Sequence, residues 1–151
     1  MGDDIYIHVS SADSENYFSQ NKAAAFRIKF NTPFDLRGRW KIGLCEIHLD
    51  NVDIIKNRGA SSFFVNCSIC TGMVVNGIQT RALRSIEATK NCHQVFTRIY
   101  YRPVEAMFID TMEFTITKGG RTLVAFALDE VAGGHADIGK VSLILHLKRH
   151  K

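Results

Sequence analysis

Proline and long apolar runs are scarce in this chain of 151 residues. Its two prolines are Pro33 and Pro103, whereas it has ten phenylalanines. No apolar stretch approaches the ~18 residues of a membrane-spanning helix, which excludes an integral membrane protein of that kind. No basic segment followed by an apolar one opens the chain, and Tyr6 stands where an N-myristoylation motif requires Ser or Thr. We therefore expect a protein that is soluble and intracellular when it is made.

Motifs that carry common enzyme chemistry are also missing. The chain has no Gly-x-x-x-x-Gly-Lys-Ser/Thr, no Gly-x-Gly-x-x-Gly after a predicted strand and no Gly-x-Ser-x-Gly. Its carboxylates are scattered without the spacing of an acid–base pair. We therefore predict that the protein is not an enzyme, that it has no catalytic, cofactor-binding or metal-binding residues, and that it uses no cofactor.

The cysteines do not form a recognisable metal site. Cys67 and Cys70 make a Cys-x-x-Cys, but no second pair follows at the spacing of zinc ligands. The pair lies in a predicted strand, where residues three apart point to opposite faces. We expect all four thiols, including those of Cys45 and Cys92, to be reduced and unliganded.

What the chain does contain is the balance of an ordinary globular protein. Hydrophobic residues make up 46% and charged residues 23% of the sequence, which excludes a disordered or collagen-like chain. The length predicts one domain over residues 1–151, large enough to fold without disulfides or metals. The net charge of +4 favours contact with a polyanion.

Apolar residues alternate with polar ones along most of the chain, which predicts β-strands. The predicted strands are Ile5–Val9, Phe26–Phe30, Trp40–Leu49, Phe63–Cys70, Met73–Val75, Ile78–Ile86, Val95–Tyr101, Ile109–Thr117 and Val141–Leu147. Pro33 is expected to end the second strand, and Asn76-Gly77 predicts a type I′ hairpin. Leu123–Leu128 fits either a strand or one helical turn. Eight or nine short strands without a long helix predict an all-β sandwich, jelly roll or barrel.

Two of these strands carry further detail. The apolar positions of Trp40–Leu49 change parity halfway along, and a bulge near Cys45-Glu46 reconciles the two halves because one extra residue exchanges the faces. The last strand, Val141–Arg149, has an apolar set on one face and Ile144 on the other. An exposed edge strand rarely tolerates that many apolar residues, so we expect this strand to lie inside a sheet.

The polar residues offer only weak candidates for a functional site. Glu46 and His48 are the best start of a metal site of the cupin type, but no partner motif follows them. Tyr100-Tyr101-Arg102 interleaves aromatic rings with charge, as nucleic-acid binders do, and a strand in the core explains it equally well. The basic residues form three modest clusters: Arg37, Arg39 and Lys41; Arg81 and Arg84; and Lys148-Arg149-His150-Lys151.

Two stretches are more specific. Ala25–Ile47 resembles a strand followed by the pattern P-L-x-L-x-G-x-W-E-V-G-L-A-E-I, with Lys41 in place of the usual acid. Tyr101–Val104, Ile109–Phe114 and the closing Gly139–Arg149 resemble a D-S-I-E-I … G-K-V-I-V-T-L-H-F-R-R ending. Both are features of the minor capsid, or penton, proteins of Maverick/Polinton elements and the related adintoviruses. The resemblance covers the first and last thirds of the chain.

The resemblance implies a single jelly roll of two packed, antiparallel, four-stranded sheets. It implies a structural virion protein whose homopentamers occupy the fivefold vertices of an icosahedral capsid, beside double-jelly-roll major capsid proteins. The basic positions of such a subunit would contact packaged DNA without sequence preference, and no membrane partner is implied. The implied location is the capsid vertex, after synthesis in the host cytoplasm and assembly there or in the nucleus.

Alternatives from other classes stay open. A jelly-roll module that binds carbohydrate or peptide would have the same strands but usually shows exposed aromatic platforms, whereas the single Trp40 lies in a predicted core strand. A small cupin-type metal enzyme would need two or three histidines to converge with Glu46. A pentameric histone chaperone has a similar shape but carries long acidic tracts, and this sequence closes on a basic one.

Overall fold

The structure is a computed structural model that describes residues 4–12, 17–18, 25–49, 62–75, 77–87, 93–118 and 140–149. Its strands are β1 (Asp4–Ser10), β2 (Ala25–Asp35), β3 (Trp40–Leu49), β4 (Ser62–Cys67), β5 (Val74–Val75), β6 (Ile78–Gln79), β7 (Ala82–Glu87), β8 (His93–Val95), β9 (Tyr101–Pro103), β10 (Phe108–Lys118) and β11 (Val141–Arg149). Leu123–Leu128 and most of the long predicted loops lie outside the described residues. Among those that are described, no helix is long and apolar enough to cross a membrane.

Two antiparallel sheets make up the body of the fold. In sheet A the order is β1-β11-β3, and the other edge of β3 pairs first with β8 and then with β9. In sheet B the order is β2-β10-β4-β7, and β5 with β6 forms a separate hairpin. If β8 and β9 count as one interrupted strand, each sheet has four strand positions in the interleaved order of a jelly roll. The predicted fold is confirmed.

The core lies between the two sheets because each strand turns its alternate apolar residues inward. Phe26 and Phe114 pack with ring centroids 5.5 Å apart in sheet B. Burial of each such side chain contributes about 1.5–3 kcal/mol to the free energy of unfolding. The buried set from sheet A includes Ile7, Val9, Ile42, Leu44, Ile47, Leu49, Val141, Leu143, Leu145 and Leu147. The set from sheet B includes Phe26, Ile28, Phe63, Val65, Leu83, Ile86, Met112, Phe114 and Ile116.

The bulge predicted in β3 is present. Ile144 of β11 pairs with Glu46, but the next residue, Leu145, pairs with Leu44, so Cys45 is the extra residue. The bulge lets both halves of β3 bury their apolar side chains in one core. The prediction for the last strand is also confirmed, since β11 lies between β1 and β3.

The prediction that Pro33 ends the second strand is wrong, because β2 continues to Asp35. Its ladder with β10 pairs Phe34 with Ile109 and then Lys29 with Thr111, so the residues in between bulge away from the partner strand. Pro33 lies in this bulge on an edge strand, where no ladder hydrogen bond from its nitrogen is required.

Two predicted strands are each divided in the structure. Ile78–Ile86 is interrupted at Thr80, whose hydroxyl donates to the Met73 carbonyl (2.6 Å) and accepts from the Ala82 N–H (3.1 Å). As a result β6 closes the hairpin with β5, whereas β7 pairs with β4 in sheet B. Gly77 has φ +80°, as the predicted hairpin turn requires, and Asn76 lies outside the described residues. Val95–Tyr101 is likewise divided into the ends of β8 and β9.

Candidate functional site

Basic side chains gather at the end of sheet A where β3 begins and β11 ends. Lys41 of β3 lies directly opposite Lys148 of β11. Their Nζ atoms are 5.2 and 6.0 Å from the centroid of one ring, that of Tyr101 on β9. The ladder therefore joins the first and third basic clusters of the sequence. We term these residues the basic end: Arg37, Arg39, Lys41, Lys148 and Arg149.

The turn between β2 and β3 is fixed by its own side chains. Asp35 accepts hydrogen bonds from Nε (3.0 Å) and from the backbone N–H (3.1 Å) of Arg37, and these hold the pKa of Asp35 below its usual range. Gly38 follows with φ +104°. The Arg37 carbonyl accepts from Trp40 Nε1 (3.3 Å) and from Arg149 Nη2 (3.2 Å), and the Arg149 guanidinium lies 5.4 Å from the Trp40 ring. The buried Trp40 thus positions Arg149 at the basic end.

A cleft of about 430 Å³ opens within the basic end. It lies between the β2–β3 turn and β9, which are joined by a hydrogen bond from the Val104 N–H to the Trp40 carbonyl (2.9 Å). Cationic side chains and aromatic rings both contribute to its wall. The lining residues are Gly38, Arg39, Trp40, Lys41, Tyr101, Pro103 and Val104.

A hydrogen-bonded chain on the outer face of sheet A positions Tyr101. His146 Nε2 is 2.8 Å from Asp4 Oδ1, and His146 Nδ1 is 2.8 Å from the Tyr101 hydroxyl. The Tyr6 ring stacks on the imidazole at 4.4 Å, which leaves His146 only 6% exposed. A carboxylate only accepts, so in the neutral imidazole Nε2 donates to Asp4 and Nδ1 accepts from the phenol. Burial raises the pKa of Tyr101, so its phenol stays protonated and acts as a donor rather than as a nucleophile.

Glu46 and His48 meet a histidine from another strand. His93 Nε2 is 3.3 Å from Glu46 Oε1, and the rings of His48 and His93 are 5.8 Å apart in an edge-on arrangement. The partner that the sequence did not indicate comes from β8, which pairs with β3 at this point. Within the described ranges, no group of three or more His, Cys, Asp or Glu side chains is arranged to hold a metal ion.

The geometry predicted for Cys67 and Cys70 is wrong. β4 ends at Cys67, and the chain then turns, so that the Cys70 N–H approaches the Cys67 carbonyl at 3.5 Å. Both side chains are buried in the same core, and the Cys70 thiol donates to the carbonyl oxygens of Cys67 and Arg81, each at 3.5 Å, instead of the two side chains facing opposite ways along a strand. Burial raises the pKa of the Cys67 thiol well above its usual value. Cys45, Cys67 and Cys70 are free thiols, and Cys92 lies outside the described residues.

Arg84, from the middle basic cluster, is held between aromatic rings. Its guanidinium carbon is 3.8 Å from the Phe96 ring centroid and 4.5 Å from that of Tyr100. Arg84 Nη1 also donates to the Arg98 carbonyl at 2.7 Å. We term these residues, Arg84, Phe96, Arg98 and Tyr100, the Arg84 edge. The tyrosines of Tyr100-Tyr101-Arg102 therefore contact two different basic groups, rather than forming one stacking platform.

A second cleft, also of about 430 Å³, lies on sheet B. Its polar groups bond mainly to one another: Asn66 Nδ2 donates to the Thr115 carbonyl (3.2 Å) and to the Thr117 hydroxyl (3.1 Å). No aromatic ring is among the residues that line it, so it lacks the platform typical of carbohydrate modules. The lining residues are Asn66, Cys67, Ser68, Thr80, Arg81, Glu113, Thr115 and Thr117.

Sequence reasoning missed how closely β9 approaches β3. A Cβ atom on Gly43 would lie 2.4 Å from Ile99 Cγ2 and 3.1 Å from the Tyr100 carbonyl oxygen. A glycine inside a strand often marks such an approach, and this signal was present in the sequence. The approach brings Tyr101 against Lys41 and Lys148.

No family model and no curated protein matches the chain. Two solved structures of infectious bursal disease virus show a low similarity. A structure of the Gx strain has 9% identity and a TM-score of 0.22, and covers 97% of this chain and 38% of the viral one. A crystal structure of the T13 viral particle has 10% identity and a TM-score of 0.24, and covers 99% and 36%. The chain thus spans well under half of those chains, and TM-scores this low do not establish a shared fold.

Proposed function

We propose that the protein is a structural subunit of an icosahedral capsid, built as one jelly-roll domain over residues 1–151, and that it acts by assembly rather than by catalysis. The observation that carries the proposal is the strand order, β1-β11-β3-β8/β9 facing β2-β10-β4-β7. This architecture is used by viral capsid proteins, and also by lectins and cupins. The stretches that resemble penton proteins form β2, β3, β9, most of β10 and β11, so they contribute strands to both sheets.

Within this class, the proposed role is that of a penton. Homopentamers of the chain would occupy the fivefold vertices of the capsid, beside double-jelly-roll major capsid proteins. The proposed location is thus the virion vertex, after synthesis in the host cytoplasm and assembly there or in the nucleus. A ring of five closes through a heterologous interface, in which one patch of each subunit contacts a different patch of the next.

Two groups of exposed apolar side chains support assembly through loops. Val74 and Ile78 on the β5–β6 hairpin are 61% and 55% exposed, and Met107 and Phe108 at the start of β10 are 60% and 63% exposed. Single exposed apolar residues are ordinary, but exposed apolar residues that occur in pairs are typical of contact surfaces. We propose that the hairpin is one side of the ring interface.

Light scattering across a concentration series tests the proposal. The expected mass at high concentration is about 85 kDa, five times the 17.0 kDa of one chain. The double substitution Val74→Asp with Ile78→Asp should keep the circular dichroism of the fold but give a monomer. Val95→Asp, at an equally exposed valine of β8, is the matched control and should still form the ring.

Two results would contradict the penton role. One is a dimer at every concentration. The other is a monomer that remains monomeric when concentrated and that the major capsid protein does not recruit. If the hairpin variant still forms the ring but Val95→Asp does not, the interface lies at β8 rather than at the hairpin.

A further inference from the structure

Lys41 and Lys148 form an unfavourable cross-strand pair. They are directly opposite in the β3–β11 ladder, and like charges in that position destabilise a sheet. In the part of the chain that the structure describes, both ammonium groups contact the Tyr101 ring and neither forms an ion pair. Asp4 lies opposite Lys148 on β1, but its Oδ1 accepts from His146. An anionic ligand between the two ammonium groups would relieve this repulsion.

Two arginines extend this charge. Arg149 follows Lys148 and is held in place by the Arg37 carbonyl and the Trp40 ring. Arg39 is exposed and lies on the wall of the cleft. Four cations are thus carried by two adjacent strands and the turn beside them, and neighbouring strands are about 4.8 Å apart. A ligand that neutralises all four needs closely spaced negative charges.

Two aromatic rings at this end, those of Tyr101 and Trp40, already contact cations of the protein itself. The Tyr101 ring contacts both lysines, and Trp40 is buried beneath Arg149. Phe108, whose ring is 5.7 Å from the Arg37 guanidinium and which is 63% exposed, is an accessible ring beside this end. Proteins that bind single strands stack successive bases on several such rings, so one ring does not make a stacking platform. Contact with a nucleic acid would therefore be made through its phosphates, and contacts of that type carry no sequence information.

We propose that the basic end binds the phosphate backbone of double-stranded DNA, with Lys41 and Lys148 sharing one phosphate and Arg39 and Arg149 contacting its neighbours. The proposal rests on the proposed function, because a capsid subunit encounters packaged DNA. Charge density favours this ligand over an acidic peptide. Each strand of duplex DNA carries one charge per ~3.4 Å of the helix axis. An extended peptide presents side chains on one face only about every 6.6 Å.

Fluorescence anisotropy with a fluorescein-labelled 20-base-pair duplex tests the proposal. Binding is measured from 50 to 200 mM KCl for the natural chain and for Lys41→Gln with Lys148→Gln. Each phosphate that is no longer neutralised reduces the magnitude of the slope of log K against log salt by about 0.9. Because the two lysines share one phosphate, the slope of the double variant should be smaller in magnitude by about 0.9, and the variant should bind roughly tenfold more weakly at low salt. Arg27→Gln with Lys29→Gln removes the same charge from sheet B, where both residues are ion-paired, and should leave the slope unchanged.

Each outcome is decisive for the site. No salt-dependent binding by the natural chain, or equal slopes for the double variant and the sheet B control, would overturn the proposal. Displacement of the duplex by polyglutamate as efficiently as by unlabelled DNA would overturn it in favour of an acidic protein ligand. Light scattering on the same samples distinguishes the two proposals. If the chain forms rings but the double variant keeps the slope of the natural chain, only the DNA site is contradicted. If the slope changes but no ring forms, only the penton role is contradicted.

Discussion

The Arg84 edge and the basic end both combine cationic side chains with aromatic rings, but the contacts differ in what they do. At the Arg84 edge one guanidinium lies between two rings, within 3.8 and 4.5 Å of their centroids, and donates to a backbone carbonyl. At the basic end two ammonium groups lie farther out, at 5.2 and 6.0 Å from a single ring. The first arrangement joins β7 to the segment between β8 and β9. The second leaves charge in solvent.

The residue types match these roles. An arginine is planar and weakly hydrated, so it stacks and donates in a fixed direction when it is partly buried. Burial lowers the pKa of Arg84, which nevertheless stays charged because the guanidinium pKa is so high. A lysine is a compact, strongly hydrated charge on a flexible stem, suited to contact with a mobile polyanion. The two ammonium groups of the basic end therefore remain available to a ligand, whereas the Arg84 guanidinium is used to hold β7 against the segment between β8 and β9.

Gly43→Val should disrupt the packing of both regions, and we expect it to lower the stability of the fold the most. The glycine lies where Ile99 and Tyr100 cross β3, and a Cβ there would be 2.4 Å from Ile99 Cγ2. We expect the free energy of unfolding, measured in urea, to fall by about 3 kcal/mol through overpacking. Gly77→Val is the control, because no atom lies within 4 Å and only its left-handed backbone is strained, at about 1 kcal/mol. Equal losses at the two glycines would contradict the close approach of β9.

Arg84→Ala and Lys148→Ala should separate the two regions. Loss of the stacked, hydrogen-bonded guanidinium should lower the free energy of unfolding by about 2 kcal/mol. Loss of the exposed Lys148 should change it by less than about 0.5 kcal/mol. Arg84→Lys should recover little, since an ammonium group cannot stack between both rings. If chemical denaturation finds the two alanine variants equally stable, the distinction between the regions fails.

The smallest expected effect on stability is that of Asp35, which holds Arg37 of the basic end in place. Its pKa is lowered from 3.8 by the hydrogen bonds from Arg37, so the carboxylate stabilises the fold above pH 3.8. That contribution is lost as the pH falls through the lower folded pKa. Asp35→Asn should therefore be less stable than the natural chain at neutral pH and should converge with it in acid. A stability difference that does not change from pH 7 to pH 2 would contradict the Arg37 bond.

Local patterns predicted much of the fold. Alternation located most strands, the parity change within Trp40–Leu49 located the Cys45 bulge, and the apolar content of β11 indicated its central position. Local patterns did not predict that β2 passes Pro33, because the strand is continued by a bulge that depends on its pairing with β10. A single strand does not specify its own partner's register.

The candidate site was less predictable for the same reason. The sequence showed Lys41 and Lys148 as members of separate clusters, and only the β3–β11 register places them opposite each other. The partner of Glu46 is likewise supplied by β8 rather than by its own strand. The sequence shows the two adjacent tyrosines. It does not show that Tyr100 contacts Arg84 while Tyr101 contacts the lysine pair, because this depends on the close approach of Ile99 and Tyr100 to Gly43.

The pairing of β1 with β11 has a consequence for the time course of folding. Asp4 is matched with Lys148, so β1 has no ladder partner until nearly all of the described chain has been synthesised. β3 likewise lacks one of its neighbours until β11 emerges from the ribosome. Such non-local pairing makes folding slow, on the scale of milliseconds to seconds, and leaves strand edges exposed meanwhile. Sheet A is thus completed only once β11 has been synthesised.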